Sequence, residues 1–357
     1  MTSVGSDLRR ELLRQHSIKV IRHGQTPEGA YLAAPSFPTY RYSWFRDGSF
    51  IADAMDANGL HDSAAAFHQW VVNVLESELA SVSASGGVLH TRYLPDGTHG
   101  SEEWPNFQLD GFGTWLWAYA GHVARTGHAP DSRGIAVVRG LADHLAERWS
   151  RPNFDCWEEH QREVHPSTLG ALYAGFVAAA GLLGDRYYEG VADSVRSYLL
   201  EHGTHAGDGD RHFTKHIGSD AVDANLLWLA LPYGVVGVSD PVYLATVDKV
   251  RRDLQDPGGG VHRYAQDTYY GGGSWLLLTA DLAQVHLALG QRHEAERLLA
   301  WVEAQADPNG DMPEQVATHV NDPDYVPHWE KTWGASAKPL LWSHAAYLRL
   351  VAALASQ

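Results

Sequence analysis

Residues 169–183, LGALYAGFVAAAGLL, are apolar on nearly every side, and residues 185–202, DRYYEGVADSVRSYLLEH, follow them directly after Gly184. A helix that is apolar all round is expected to be buried, whereas a helix with one polar face lies at the surface. A glycine between two helical patterns commonly ends the first of them. This stretch therefore predicts a buried helix followed immediately by a surface helix.

The same alternation continues in both directions along the chain. Residues 112–123, 225–232 and 275–289 have little polar face, whereas 67–75, 135–149, 243–254 and 295–302 show one apolar stripe at helical spacing. We predict about twelve helices from this periodicity, at 3–16, 48–59, 61–80, 110–126, 131–150, 166–183, 185–202, 220–233, 239–254, 273–289, 291–306 and 335–355. Six helical hairpins in this order indicate an all-α fold, an (α/α)6 barrel of two concentric rings. An open solenoid would show a fixed repeat period, and the sequence shows none. We expect residues 1–357 to form a single domain.

Charge and cysteine content limit the classes of partner. Asp and Glu outnumber Lys and Arg by 43 to 27, which gives a formal charge of −16. Such a charge disfavours nucleic acid and anionic membranes as partners. The single cysteine, Cys156, excludes an internal disulfide. The N-terminal residues lack the apolar core of a signal peptide, and no uninterrupted apolar run of about 18 residues occurs. We expect a cytoplasmic protein, and the sequence leaves its oligomeric state open.

The connections between the predicted hairpins are unusually long. They cover residues 17–47, 81–109, 151–165, 203–219, 255–272 and 307–334, and they are rich in Trp, Tyr, Gly and carboxylates. Long loops in a compact domain are usually functional or disordered, and this composition favours function. Because they lie between consecutive hairpins, we expect them to gather at one end of the barrel. A short β-hairpin is predicted at 88–93, followed by a turn at 95–97.

Two of these loops carry candidate acid–base residues. Residues 155–159, DCWEE, place Glu158 and Glu159 beside Trp157. A neighbouring like charge and an apolar wall both raise the pKa of a carboxyl group, as a general acid requires. These five residues alone are also compatible with a solvated acidic loop. Residues 311–316, DMPEQV, supply a second carboxylate, Glu314, about halfway round the ring from Glu158.

Paired carboxylates flanking one bond are the requirement for glycoside hydrolysis. In an inverting enzyme the two groups lie roughly 6.5–9.5 Å apart, which leaves room for a water molecule. We expect Glu158 and Glu314 to face each other at such a separation, with Glu158 protonated and Glu314 ionised. Arg46 and Asp47 offer fixed hydrogen bonds to vicinal hydroxyls, although the pair could equally cap the helix that follows.

Six ordered segments give the chain a specific resemblance. They are WFRDG at 44–48, QLDG at 108–111, WEE at 157–159, GVHRYAQDTYY at 260–270, MPEQV at 312–316 and PLLWSHA at 339–345. With this order and spacing, the sequence from about residue 21 to 354 resembles glycoside hydrolase family 15, the glucoamylases and their bacterial relatives. The resemblance implies an (α/α)6 barrel and an inverting exo-acting hydrolase of α-glucosidic bonds.

The resemblance also implies roles for individual residues. Glu158 corresponds to the general acid, Glu314 to the base that activates water, and Tyr40 to a tyrosine that helps to hold that water. Glu159, Arg46, Asp47 and Arg263 correspond to groups that bind the terminal glucose, and Trp104 to a stacking tryptophan. The full set of expected substrate-binding residues is Tyr40, Trp44, Arg46, Asp47, Trp104, Asp110, Trp157, Glu159, Arg263, Asp267 and Trp275.

The substrate class follows in part from what the sequence lacks. The chain begins almost directly with the barrel, without the N-terminal β-sandwich or starch-binding module of many relatives, so we expect short soluble α-glucosides such as isomaltose or α-1,4-linked oligomers. A trehalase of the same family, a barrel phosphorylase and a catalytically inactive sugar-binding protein are alternatives.

One loop contains a cluster of possible metal ligands, namely His205, Asp208, Asp210, His212 and His216. Their spacing matches no zinc motif that we know. Because inversion by two carboxylates needs no metal or cofactor, we predict neither.

Overall fold

The computed structural model describes residues 3–207 and 209–356. Helices dominate these residues, and three antiparallel two-stranded ladders connect some of the loops. The helices are α1 (Ser3–Gly24), α2 (Phe45–Ala57), α3 (His61–Ser85), α4 (Asp110–Thr126), α5 (Ser132–Ala146), α6 (Pro166–Leu183), α7 (Arg186–His202), α8 (Pro241–Leu254), α9 (Leu276–Ala288), α10 (Arg292–Ala304), α11 (Tyr325–Trp333) and α12 (Leu341–Ala355). Shorter 3₁₀ helices lie at Pro38–Tyr40, Ala224–Leu229 and Tyr269–Gly271.

Helices α2, α4, α6, α9 and α12 form an inner ring together with the 3₁₀ helix Ala224–Leu229. Within the described residues each member contacts the next, and α12 returns to α2, so the ring is closed. Helices α1, α3, α5, α7, α8 and α10 pack around the outside, and one continuous apolar core extends from Leu13 to Leu354. The closed ring confirms the predicted all-α (α/α)6 barrel.

Local sequence signals set the ends of the inner helices. Helix α6 begins with Pro166. Proline is tolerated there because the first N–H groups of a helix have no hydrogen-bond acceptor within it, so the missing N–H of proline costs no helical hydrogen bond. It ends at Gly184, whose φ of 61° is left-handed and therefore favours glycine. Asp185 then caps α7 by accepting a hydrogen bond from the backbone N–H of Tyr187. The quoted stretch thus forms the predicted buried helix and surface helix.

Glycine also allows two inner helices to approach closely. A Cβ atom on Gly113 of α4 would lie 2.5 Å from the carbonyl oxygen of Ala171 in α6. A Cβ on Gly175 of α6 would lie 2.8 Å from the Cα of Gly113. Real Cβ atoms do not occupy such positions, so the α4–α6 contact requires glycine at both sites.

Three local predictions were wrong. The helix expected at 220–233 is the shorter 3₁₀ helix Ala224–Leu229, because Pro232 supplies no N–H to continue a helix and Gly234 turns the chain with a φ of 65°. The loop expected at 307–334 contains helix α11. The hairpin expected at 88–93 does not form, since strand β2 (Arg92–Tyr93) pairs with β1 (Ser43–Trp44), which is remote in sequence.

The remaining ladders connect other loops. Strand β3 (Thr204–His205) pairs with β4 (His212–Phe213), and β5 (Ser274–Trp275) pairs with β6 (Gln315–Val316). Among the described helices, α6 is the one whose length and mean hydropathy would suffice to cross a membrane, and 67% of that segment is buried inside the protein. Its place in the inner ring accounts for its apolar composition.

Candidate active site

A cavity of about 410 Å³ opens at the end of the barrel where the inner helices begin. Its volume lies within the range of small-molecule sites. Trp329, Trp333 and Trp342 line part of its wall. The sequence-predicted residues that line it are Tyr40, Trp44, Arg46, Asp47, Trp104, Trp157, Glu158, Glu159, Arg263, Trp275 and Glu314. Both candidate catalytic carboxylates therefore face the same space.

Short ladders and helix starts place these side chains. Strand β1 carries Trp44, and the chain then enters α2, so that Arg46 and Asp47 lie in the first turn of the helix. Strand β5 carries Trp275 and pairs with β6 directly after Glu314. The backbone N–H of Glu314 also donates to the carbonyl of Ala337, at 2.9 Å. The inner ring thus fixes the direction in which each loop residue enters the cavity.

Glu158 sits in a strained loop position. Its φ of 70° is left-handed, which is uncommon for a residue with a side chain and often marks functional sites. The indole N–H of Trp44 donates to Glu158 Oε1 at 2.6 Å. Burial raises the pKa of Glu158, and the positive charge of Arg46 partly opposes that effect. A carboxyl with a raised pKa is suited to act as a general acid.

A buried ion network supports the loop that carries Glu158. Asp155 accepts hydrogen bonds from the backbone N–H groups of Trp157 and Glu159, at 3.0 and 2.9 Å. Lys215 lies 3.4 Å from Asp155 and 2.7 Å from Asp223, and all three side chains are buried. The indole of Trp157 donates to Asp223 at 3.0 Å. These bonds fix the turn and hold Trp157 against the cavity.

Glu314 is more deeply buried, with 3% of its surface exposed. Its Oε2 atom is buried and makes no hydrogen bond to any described residue. Burial raises the pKa of Glu314 to about 8, while the charge of Arg263 and the hydroxyl of Tyr40 lower it. The Tyr40 hydroxyl is 2.8 Å from that of Tyr269, which orients it. The ionised Glu314 expected from the sequence therefore requires a higher pH, or a bound ligand and water that change its surroundings.

Arg46 is held among acidic and amide groups. Its Nη1 donates to Gln108 at 3.1 Å and to Asp110 Oδ2 at 3.2 Å, and its Nε lies 3.4 Å from Asp47 Oδ1. Burial raises the pKa of Asp47 to about 6, against the lowering effect of Arg46. Asp110, expected to bind substrate, does not line the cavity but lies behind Arg46. Asp110 thus contacts the guanidinium of Arg46 from behind.

Arg263 is held in the same way from the other side. Asp267 accepts from its Nε and Nη2, at 2.7 and 2.6 Å, in a bidentate pair that is almost fully buried. Glu159 Oε1 lies 3.5 Å from Arg263, and the Tyr264 hydroxyl donates to Glu159 Oε2. Asp267, also expected to bind substrate, does not line the cavity. It fixes the guanidinium from behind.

Several buried polar atoms of the lining make no hydrogen bond to any described residue. They are Arg46 Nε, Asp47 Oδ1, Trp104 Nε1, Trp275 Nε1 and Glu314 Oε2, although Arg46 Nε and Asp47 Oδ1 lie 3.4 Å apart as an ion pair. An unpaired buried donor or acceptor costs about 1–3 kcal/mol, so such atoms are few in native proteins. Donors and acceptors are mixed and stand beside indole rings. That combination matches the alternating hydroxyls and apolar faces of a sugar ring.

Sequence reasoning missed part of the wall. Trp329 and Trp333 belong to α11, inside a segment expected to be a loop. The ring of Trp329 contacts that of Tyr269 at 4.9 Å, and its indole donates to the carbonyl of Thr268 at 3.0 Å. The i, i+4, i+8 spacing of Tyr325, Trp329 and Trp333 was the signal that could have revealed a short helix. Trp342 was recognised as part of a motif but not as a site residue.

The histidine-rich loop does not assemble a metal site in the described residues. His212 approaches the carbonyl oxygens of Asp210 and Asp220, at 3.2 and 3.0 Å, and His216 that of Ile217. Asp208, the remaining acidic member of this cluster, lies outside the described residues. The described groups that converge closely enough to hold an ion are Asp155–Glu159–His160, in the loop that carries Glu158, and Asp56–His68–His122, elsewhere in the barrel.

Comparison with known proteins agrees with the fold and shows the family. The family model Glycosyl hydrolases family 15 matches residues 8–305. Isomaltose glucohydrolase of Kribbella flavida is 41% identical over 358 residues, covering 95% of this chain and 91% of that protein. The solved structure of a glycosidase variant in complex with glucose has a TM-score of 0.91 at 40% identity and covers 99% of both chains. Glucoamylase from Saccharomycopsis fibuligera, 16% identical, shares the fold with a TM-score of 0.79 over 98% of this chain and 94% of that one. By the extent of these matches, the chain belongs to glycoside hydrolase family 15 and is a glycoside hydrolase.

Proposed function

We propose that this hydrolase removes single glucose units from the non-reducing ends of short α-glucosides, with isomaltose as the preferred substrate, and releases β-glucose by inversion. The observation that carries the proposal is the row of buried polar atoms without hydrogen bonds along one cavity that also holds two raised-pKa carboxyls. The similarity to the isomaltose glucohydrolase of Kribbella flavida over nearly the whole chain supports the choice of substrate.

In the proposed reaction Glu158 is the general acid. It donates its proton to the glycosidic oxygen as the bond from that oxygen to C1 breaks. Glu314 is the general base. It takes a proton from a water molecule whose oxygen attacks C1 from the opposite face, so the configuration at C1 inverts. The Tyr40 hydroxyl, which lowers the pKa of Glu314, stabilises the ionised base.

The two arginines and their carboxylate neighbours would hold the terminal glucose. Arg46 Nε and Asp47 Oδ1 form an ion pair at 3.4 Å but make no hydrogen bond, so a pair of sugar hydroxyls can supply one to each. Glu159 and Arg263 offer a second donor–acceptor pair in the same cavity. Asp110 and Asp267 hold the two guanidinium groups in place before the sugar binds, which reduces the ordering cost of binding.

Substrate length would be limited at the opposite wall. Trp104, Trp329 and Trp333 line the cavity, and Trp333, which is 44% exposed, marks its outer part. Aromatic walls there can bind a second sugar, but they leave little surface for units beyond it. We therefore infer that affinity gained from the third and later sugars is small.

The charges of the cavity favour hydrolysis over phosphorolysis. Arg46 and Arg263 are the basic side chains among the described lining residues, and each is paired with a carboxylate. A phosphorylase needs a cationic pocket for phosphate in the place of the base. In this protein the corresponding place holds Glu314, an acidic group that would repel phosphate.

Initial rates on a substrate panel test the proposal. Isomaltose, isomaltotriose, maltose and trehalose are compared at one pH, with and without added phosphate. We expect the highest kcat/KM for isomaltose and no effect of phosphate. A higher kcat/KM for maltose or trehalose would contradict the choice of substrate, and dependence on phosphate would contradict hydrolysis. Glu163→Gln, in the same loop as Glu158 but outside the cavity, is the control for Glu158→Gln.

A further inference from the structure

A second group of convergent side chains lies at the end of the barrel away from the catalytic cavity. Asp56 is in the last turn of α2, His122 is in the last turns of α4, and His68 is in the outer helix α3. Helices α2 and α4 both start at the cavity, with Asp47 and Asp110. At about 1.5 Å per residue, Asp56 and His122 lie roughly 14 and 18 Å further along these helices. The group is therefore separate from the catalytic residues.

The three side chains are close together and buried. One ligand atom from each of Asp56, His68 and His122 lies within 4.8 Å of the other two. His122 Nδ1 is 2.9 Å from Asp56 Oδ2 and 3.1 Å from Oδ1. The side chains of Asp56 and His122 are 1% and 8% exposed, and His68 is 2% exposed. One carboxylate and two imidazoles thus converge from three helices.

His68 is the least satisfied member of this group. Both its ring nitrogens are buried, and neither makes a hydrogen bond to any described residue. Its ring lies 5.1 Å from that of His122 and 5.2 Å from that of Tyr119, centroid to centroid. A buried imidazole whose nitrogens make no hydrogen bond keeps a free lone pair that can bind a metal ion.

We propose that Asp56, His68 and His122 bind a divalent transition-metal ion, with Zn²⁺ as the best match. Two imidazole nitrogens and a carboxylate oxygen suit zinc, whereas calcium and magnesium prefer oxygen ligands alone. Metal–ligand bonds of about 2.0–2.2 Å bring tetrahedral ligand atoms to roughly 3.3–3.6 Å of one another. The contact between His122 and Asp56 is already near that value, so the chief adjustment is a small movement of the His68 ring.

His61 completes the surroundings of the proposed site. Its Nδ1 lies 2.8 Å from Asp56 Oδ1, and its side chain is 42% exposed. An outer hydrogen bond of this kind orients the carboxylate of a metal site. Since His61 stands between Asp56 and solvent, an ion can enter on this side. A water molecule would suit the fourth ligand position.

The consequence of binding is structural. The ion would connect two inner helices, α2 and α4, to the outer helix α3 at the end of the barrel that carries no catalytic loops. Because it would bind the folded state selectively, it would raise the melting temperature according to its concentration relative to Kd. For a chain of this length, one ion at about a hundredfold excess over Kd corresponds to a rise of roughly 3–4 °C. Hydrolysis itself needs no metal at this distance.

The test uses protein stripped with a chelator. Zn²⁺ is titrated by calorimetry, Co²⁺ is added as a probe whose visible absorption reports tetrahedral coordination, and the melting temperature is measured with and without Zn²⁺. We expect one equivalent of Zn²⁺ bound and a melting temperature raised by a few degrees. Asp56→Asn and His68→Leu should lose both effects, whereas His205→Ala, in the separate histidine-rich loop, should keep them.

His68→Leu distinguishes a metal site from a simply unfavourable histidine. Replacing an unpaired buried imidazole with an apolar group removes its desolvation cost, so the metal-free variant should melt at or above the temperature of metal-free wild type. It should also fold well enough to be measured. Zinc binding that persists in both Asp56→Asn and His68→Leu, or no binding to wild type at micromolar Zn²⁺, would overturn the proposal. Catalytic activity is not a readout here, so failure of this test leaves the proposed hydrolysis untouched.

Discussion

Asp267→Asn is the most informative single substitution because it removes the partner of a buried charge. Asp267 is fully buried and accepts two hydrogen bonds from Arg263, which is 4% exposed. Breaking a buried ion pair by changing one partner destabilises a protein by about 3–5 kcal/mol. With an unfolding entropy of about 2.1 cal/mol/K per residue, the 357 residues give roughly 0.75 kcal/mol/K. The melting temperature should therefore fall by about 4–7 °C.

The chain offers a matched control for this substitution. Lys249 and Asp253 form an ion pair with the same i, i+4 spacing at 2.9 Å, but on the surface of α8. Exposed helix pairs contribute about 0.3–0.5 kcal/mol, so Asp253→Asn should lower the melting temperature by less than about 1 °C. Calorimetry at pH 7 compares the two variants. Equal shifts in both would refute the conclusion that Arg263 is a buried charge held by Asp267.

The catalytic effect of Asp267→Asn should be separable from its effect on stability. With its guanidinium no longer fixed, Arg263 can turn away from the terminal glucose, and kcat/KM for isomaltose should fall by at least about tenfold at a temperature where the variant is folded. Asp253→Asn should keep kcat/KM within about twofold of wild type. An Asp267→Asn variant that is destabilised but fully active would show that Arg263 does not contact the substrate.

The other predictions concern the carboxyls and the outer wall. Glu314→Gln should lower kcat by about 10²–10⁴-fold while glucose binding persists; a smaller loss would mean that another group is the base. Because burial raises the pKa of Glu314 to about 8, the base becomes protonated as the pH falls through 8, so kcat/KM should decline from there rather than near about 4.3, where an ordinary glutamate titrates; a kcat/KM that stays constant from about pH 8 down to about pH 5 would contradict the burial of the base. Trp329→Ala should lower kcat/KM for isomaltose about tenfold through lost ring contact, with little change for aryl glucosides that release a good leaving group; an unchanged value for both would remove α11 from the site.

The barrel was predictable because the spacing of apolar residues in a helix shows how much of that helix is buried. The inner helices α4, α6 and α9 have little polar face, whereas the outer helices α5, α7, α8 and α10 have one apolar stripe, and this difference can be seen in the sequence before any contact is known. The 3₁₀ helix at Ala224–Leu229 was missed because its apolar composition matches that of the other inner elements. This element is short because Pro232 lacks the N–H that would continue a helix and Gly234 turns the chain with a positive φ. Strand β2 was misassigned because its partner β1 is remote in sequence.

Part of the site was predictable for a different reason. Glu158, Arg46 and Trp104 lie in motifs whose order along the chain is specific. The sequence could not show that Asp110 and Asp267 contact arginines rather than the cavity, because an aspartate can bind either a sugar hydroxyl or a guanidinium, depending on its orientation. The raised pKa of Glu314 depends on burial by segments far apart in sequence. The Asp56–His68–His122 group was invisible for the same reason, because three helices bring it together.

The central claim is inversion by Glu158 and Glu314, and the anomer of the first product tests it most directly. Proton NMR is recorded during the first minutes of isomaltose hydrolysis, before mutarotation mixes the anomers. The account predicts that the released glucose appears first as the β-anomer, since water assisted by Glu314 attacks the face opposite the leaving group. Glucose that appears first as the α-anomer would contradict it.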